Sequence, residues 1–210
     1  MRTTTTLGPW LIIFSLAAIG CGGPSTQGPE PEMGSTSPPP SLPGEPAKPE
    51  EPEPEPKKAP TPSVEVTIES KSGSTLNGKG TVSEVEGGAR LIIEVTNAPP
   101  GKHGAHVHEK GDCSSPDGKS AGGHFNPAGH DHALPEKEQR HLGDLGNIEV
   151  DADGNGKLEL TIPGANLQPG HAHSFLGRSI IIHEKADDGG QPTGNAGGRI
   201  GCGVIGKSES

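Results

Sequence analysis

The chain has 210 residues, of which 34 are glycine, 23 are proline and only 28% are hydrophobic, and its formal net charge is −10. A balance this acidic excludes nucleic acid as a partner, and so low an apolar content excludes one core running the whole length. Three unlike segments account for the totals.

Residues 1–20 read as a secretion signal. Arg2 is a thin basic start, and Leu11 to Ala18 is an apolar run shorter than the ~20 residues that span a bilayer. Gly20 precedes Cys21, and AIGC resembles the lipobox of bacterial lipoproteins, whose cysteine becomes the lipidated N-terminus. That resemblance implies an exported protein of the bacterial cell envelope, in the periplasm and lipid-anchored to a membrane. Gly22 rather than Asp after the cysteine suits the outer membrane. Residues 21–63 are then the lipid-attachment Cys and a disordered tether. After Cys21 the segment holds seven Glu and three Lys with almost nothing apolar, so it cannot bury enough surface to offset its ordering entropy. Its Glu–Pro alternation favours extended polyproline II.

The folded domain is expected over residues 64–207, with 208–210 as a tail. A length of roughly 140 residues suits one core and not two. Setting aside Arg2 and the tether leaves the domain at −7. Apolar residues then alternate in short runs bounded by Gly, Pro, Asn or Asp. Val64, Val66 and Ile68 share one face, as do Leu91, Ile93 and Val95. His106 and His108 alternate across Val107, Ile148 and Val150 precede the turn DADGNG, and Leu158, Leu160 and Ile162 follow it. Ile180 and Ile182 lead to His183. No window has a helical period, so the chain is all-β, an antiparallel sandwich or flattened barrel. Two long connections, roughly 110–147 and 185–198, are long enough to be functional. The segment from Asp151 begins like a calcium loop, but its twelfth position is Ile162 rather than Glu, which favours a hairpin turn.

Of three cysteines, Cys21 is taken by lipid, leaving Cys113 and Cys202 as an even pair in an exported protein. A disulfide between them closes a loop of roughly 90 residues and contributes ~4–5 kcal/mol in the chain-entropy picture.

Ten histidines are present, and seven crowd between His103 and His141. In a strand, residues two apart point to one face, so His106 and His108 present two imidazoles side by side. With a distant third histidine, for which His183 at the end of an apolar strand is the natural choice, they suit a nitrogen-rich copper site. His124, His132, His141 and Asp144 supply three imidazoles and a carboxylate, a full set for tetrahedral zinc.

The stretches HGAHVHEKGDC, SAGGHFNP, RHLGDLGNIEV, GRSIIIHEKADD and GNAGGRIGCGVIG, in this order, resemble the copper/zinc superoxide dismutase family over nearly the whole domain. The resemblance implies an eight-stranded antiparallel Greek-key β-sandwich or flattened barrel with two long functional loops. It implies copper bound by His106, His108, His124 and His183, and zinc bound by His124, His132, His141 and Asp144, with the imidazolate of His124 shared. Asp187 resembles the carboxylate linking a copper histidine to a zinc histidine. Arg199 resembles the guanidinium that attracts and orients superoxide, and Cys113 and Cys202 match the family's disulfide. The implied activity is dismutation of superoxide to oxygen and hydrogen peroxide by alternate reduction and reoxidation of the copper, with His124 as proton carrier, protecting the cell envelope. The alternative is a non-catalytic copper/zinc-binding or storage lipoprotein, for which Arg199 has no use.

His103, His130, His171 and His173 match no ligand of the family. The segment DGGQPTG from Asp188 to Gly194 is shorter than in cytosolic eukaryotic members and lacks their Glu and Lys residues, so Lys110, Lys119 and Lys137 are candidates for anion steering. With no Tyr or Trp and only Phe125 and Phe175, the domain must build its core from Val, Ile and Leu, which leaves no obvious aromatic anchors for a subunit interface.

Overall fold

The structure, a computed structural model, describes residues 61–206. The expected signal, Cys21, the tether up to residue 60 and the C-terminal tail lie outside the described residues. Eight strands follow one another: β1 (Ser63–Ser70), β2 (Asn77–Val85), β3 (Gly88–Thr96), β4 (Gly101–His108), β5 (Asp144–Val150), β6 (Gly156–Pro163), β7 (Arg178–His183) and β8 (Arg199–Ile205). One turn of 3₁₀ helix, Lys119–Ala121, interrupts the first long loop.

Every pairing is antiparallel, and the strands close into a barrel in the order β1-β2-β3-β6-β5-β4-β7-β8. The run β4-β5-β6 returns to lie beside β3, which is a Greek key. The alternating residues turn inward as their period requires: Val66 and Ile68, Leu91, Ile93 and Val95, Ala105 and Val107, Ile148 and Val150, Ile180 and Ile182 are all buried in one core. Phe125 and Phe175 meet in it edge to face, with ring centroids 6.0 Å apart.

Two strands carry weak sequence patterns for a shared reason. In β2 the inward positions include Gly78 and Gly80, which lie against Ile68 and Val66, and in β8 Gly201 and Gly203 lie against the same two side chains. Glycine fills these positions because β1, β2 and β8 approach closely, so no apolar alternation advertises either strand.

One boundary differs from expectation. β5 begins at Asp144 rather than near Asn147, because Asp144 pairs opposite His106 across an irregularity between Gly104 and His106. The long loops are therefore 109–143 and 184–198. The DADGNG segment is a hairpin turn, with Asp151 Oδ1 accepting the backbone N–H groups of Asp153 and Asn155.

Candidate metal centre

The centre lies outside the barrel wall, under the two long loops. Ala105 and Val107 turn into the core, so His106 and His108 must face outward from β4. β7 runs antiparallel beside β4, and an irregularity after Ile182 sets His183 opposite Arg199 on β8. His124 comes from the first loop, where its backbone bridges to His108. Phe125 N–H donates to Val107 C=O at 2.8 Å, and Val107 N–H donates to Gly143 C=O at 2.8 Å. This close seam requires glycine at 143, where a Cβ would stand 2.2 Å from the Val107 oxygen.

The four imidazoles of His106, His108, His124 and His183 each bring a nitrogen to within 4.8 Å of the others. His106 and His124 stack with ring centroids 3.9 Å apart, and His106 and His183 meet edge-on at 4.8 Å. In each ring one nitrogen is tied outward. His106 Nε2 lies 2.8 Å from Asp187 Oδ2, His108 Nδ1 lies 2.9 Å from Gly122 C=O, and His183 Nδ1 lies 3.3 Å from Gly197 C=O. The other nitrogens, His106 Nδ1, His108 Nε2, His183 Nε2 and His124 Nε2, are buried with no hydrogen-bond partner. Four buried lone pairs aimed at one point cost desolvation with nothing in return, unless a cation takes them up. A borderline-soft metal such as copper fits that all-nitrogen set.

The opposite side of His124 is built differently. Its Nδ1 lies 2.9 Å from Asp144 Oδ1, and the Nδ1 atoms of His132 and His141 lie 3.0 and 3.1 Å from the same oxygen. His132 Nδ1 makes no aligned hydrogen bond despite that distance and is left bare. Three imidazole nitrogens converging on one carboxylate oxygen suit tetrahedral zinc. His106 also lies within 4.8 Å of His124, His132 and Asp144. Its Nε2 is held by Asp187, so its free Nδ1 serves the all-nitrogen cluster. Asp187 joins the two sides, because its Oδ1 lies 3.0 Å from His132 Nε2 while its Oδ2 holds His106. Such contacts fix the tautomer and aim of a metal-binding imidazole.

Charge states suit ligation. Burial pushes His106 down to about 4 and His183 down to about 3, and burial pushes His108 lower still. All three are therefore neutral, the form that binds metal. Burial works against ionised carboxylates at Asp144 and Asp187, but the histidine and backbone N–H contacts outweigh it and hold both below the usual range. A consequence follows for the metal-free domain. An unfolded histidine takes its proton near pH ~6.5, whereas folded His106 and His183 resist to about 4 and 3, so in that window the unfolded chain binds more protons. Stability is complete above the unfolded value and falls on acidification by ~1.4 kcal/mol per pH unit for each such histidine. Urea midpoints of the metal-free domain should drop steadily from pH 6.5 to 4; a flat profile would contradict the burial of these rings.

A cavity of about 390 Å³ opens beside the all-nitrogen cluster, lined among others by His108, His124, His183, Thr193, Lys119 and Arg199. The Arg199 guanidinium donates to the carbonyls of Gly118 and Gly122, each at 2.7 Å. Both carbonyls belong to the loop that the Cys113–Cys202 disulfide staples to β8, so the staple also secures the arginine's seat. Of the three lysines considered for steering, Lys119 lines this cavity, while Lys137 lines a different one near His141.

The remaining histidines have other employment. His103 is buried, with its ring nitrogens 2.9 Å from His183 C=O and 2.8 Å from Pro99 C=O. His130 is exposed with its Nδ1 3.2 Å from Arg140 C=O. His171 Nδ1 accepts from Asn166 and from the His173 N–H, which ties it into a turn. Sequence reasoning did not find Asn147, whose side-chain amide accepts the Asp187 N–H at 2.7 Å and donates to the Asp187 C=O at 2.9 Å. No side-chain pattern marks such a backbone clamp.

The family described as copper/zinc superoxide dismutase matches residues 76–205. An extracellular copper/zinc superoxide dismutase of Caenorhabditis elegans is 42% identical over 139 residues, which is 62% of this chain and 62% of the length of that relative. Among solved structures, the clock protein EA4 is 39% identical with a TM-score of 0.62, covering 70% of this chain and 94% of that one. A superoxide dismutase-like protein from Bacillus subtilis is 36% identical with a TM-score of 0.60, covering 67% of this chain and 97% of that one.

Proposed function

We propose that this chain, which belongs to the copper/zinc superoxide dismutase family and shares its copper and zinc cofactors, converts two superoxide ions and two protons to oxygen and hydrogen peroxide. The observation that carries the reading is the set of bare, buried imidazole nitrogens beside a cavity that Arg199 lines. His106, His108, His124 and His183 would hold copper, and His124, His132, His141 and Asp144 would hold zinc. Copper, when bound, supplies the one-electron couple. The protein's own groups do the rest. Arg199 draws the small anion into the cavity and orients it, while Lys119 on the same lining is paired with Asp117 at 2.9 Å. His124 accepts and returns a proton at Nε2, the nitrogen facing the copper cluster. Asp187 holds the rings of His106 and His132 in one tautomer.

A metal-storage role is the second reading, and an open cavity lined by a seated arginine favours turnover over storage. The rate of superoxide decay decides between them, because superoxide also disproportionates unaided to the same products. The metal-loaded protein should speed the decay over many turnovers for each copper. Acceleration that stops after about one superoxide per copper would support storage.

The same proposal places the protein in the bacterial envelope, protecting it from superoxide, with Cys21 lipidated and residues 22–63 as the spacer. The C. elegans relative is named as extracellular, in keeping with export. Cys21→Ser is expected to move the protein from the membrane to the soluble periplasmic fraction, and retention on the membrane would contradict the anchor.

A further inference from the structure

We propose that Gln191 is a positioning residue for His132, and that the strap 188–194 carrying it retains the metal on the zinc side. The inference rests on reading His132 as a zinc ligand. His132 comes from an irregular stretch of the first long loop, and its ring is buried. Neither its N–H nor its C=O joins a backbone–backbone hydrogen bond among the described residues. Gln191 supplies both partners: its Oε1 accepts the His132 N–H at 3.2 Å, and its Nε2 donates to the His132 C=O at 2.6 Å. One exposed side chain thus stands in for the neighbouring strand that His132 lacks.

The strap grips the same residue a second time. Gly194 has φ of +77°, and a Cβ there would stand 2.1 Å from Asp187 Oδ1 and 2.8 Å from His132 Nε2, so its backbone lies flat against the contact between those two groups. The strap is closed on itself, with Gly194 N–H donating to Gly190 C=O at 2.6 Å and Asp188 N–H donating to Gly194 C=O at 3.0 Å. His132 is held at its backbone by Gln191 and at its outer ring nitrogen by Asp187, which leaves Nδ1 aimed at Asp144. The copper-side ligands His106, His108 and His183 stand on β4 and β7; the strap bears on His106 through Asp187, whereas the Gln191 side chain bonds to His132.

The two sides should therefore respond differently to its loss. In the full-length protein loaded with copper and zinc, Gln191→Ala and Gln191→Glu should release zinc to a chromophoric chelator about 10- to 100-fold faster, the range for losing an outer contact to a ligand. The glutamate keeps the acceptor but sets a carboxylate against the His132 carbonyl, so it should not rescue. Before the chelator is added, with zinc still bound, the visible spectrum of bound copper should be unchanged, which serves as the folding control. In the metal-free protein the His132 amide should be protected from hydrogen exchange and lose that protection in both variants. Zinc release within twofold of wild type, or a His132 amide that exchanges equally fast in all three proteins, would overturn the role of Gln191. A wild-type protein that takes up no zinc would overturn the reading of His132 itself, and the proposal with it.

Discussion

His124→Ala is expected to abolish superoxide dismutation and to weaken both metals at once. Its two ring nitrogens face different sides of the centre. Its bare Nε2 points into the copper-side cluster, while its Nδ1 lies 2.9 Å from Asp144 Oδ1. On the proposed assignment, removing it takes one of four donors from each side and also removes the proton carrier at the junction. Substituting a group that acts as a unit with its neighbours costs about as much as removing the unit, so activity should fall by ~10³-fold or more. His183→Ala provides the contrast, because it serves only the copper side and should leave zinc in place. Metal analysis after dialysis, run on both variants, separates the two cases. A His124→Ala protein that keeps one zinc and one copper per chain would contradict the shared role.

Arg199→Ala is expected to lower kcat/KM for superoxide by about 10- to 100-fold while copper and zinc remain bound, the scale on which a local field raises the on-rate of a small ion. The guanidinium lines the cavity but makes no hydrogen bond to the orphaned nitrogens; it is seated on the Gly118 and Gly122 carbonyls. Arg199→Lys keeps the charge without the planar fork that reaches two carbonyls, so it should retain intermediate activity. Salt is the second readout. Screening reaches ~8 Å at physiological ionic strength, so wild-type kcat/KM should fall as salt rises, and the slope should flatten in Arg199→Ala. An unchanged rate in that variant would remove Arg199 from substrate capture and leave it a structural tie for the disulfide loop.

The side-by-side placing of His106 and His108 was legible in the sequence because strand periodicity does the geometric work. Two residues apart on β4 means one face, and His106 and His108 share it. His183 was legible for the same reason, since it ends the apolar run of β7. What the sequence hid falls into two kinds. β2 and β8 have glycines where barrel strands crowd, so the alternation that identifies a strand is missing at Gly78, Gly80, Gly201 and Gly203. The supporting contacts of the site run through backbone: carbonyls of Gly118 and Gly122 under Arg199, the Asn147 amide on Asp187 and the Gln191 amide on His132. A carbonyl has the same chemistry in every residue, so its role emerges only from the fold. His132 and its neighbour His130 show the same limit, because only the folded loop turns one ring inward and leaves the other in solvent.

Direct observation of superoxide decay tests the central claim. With the full-length chain loaded with one copper and one zinc, a pulse of superoxide should vanish at a rate proportional to protein concentration, repeatedly and without loss of metal, and more slowly as salt is added. Decay no faster than in buffer, with both metals bound, would contradict the assignment of this site to dismutation.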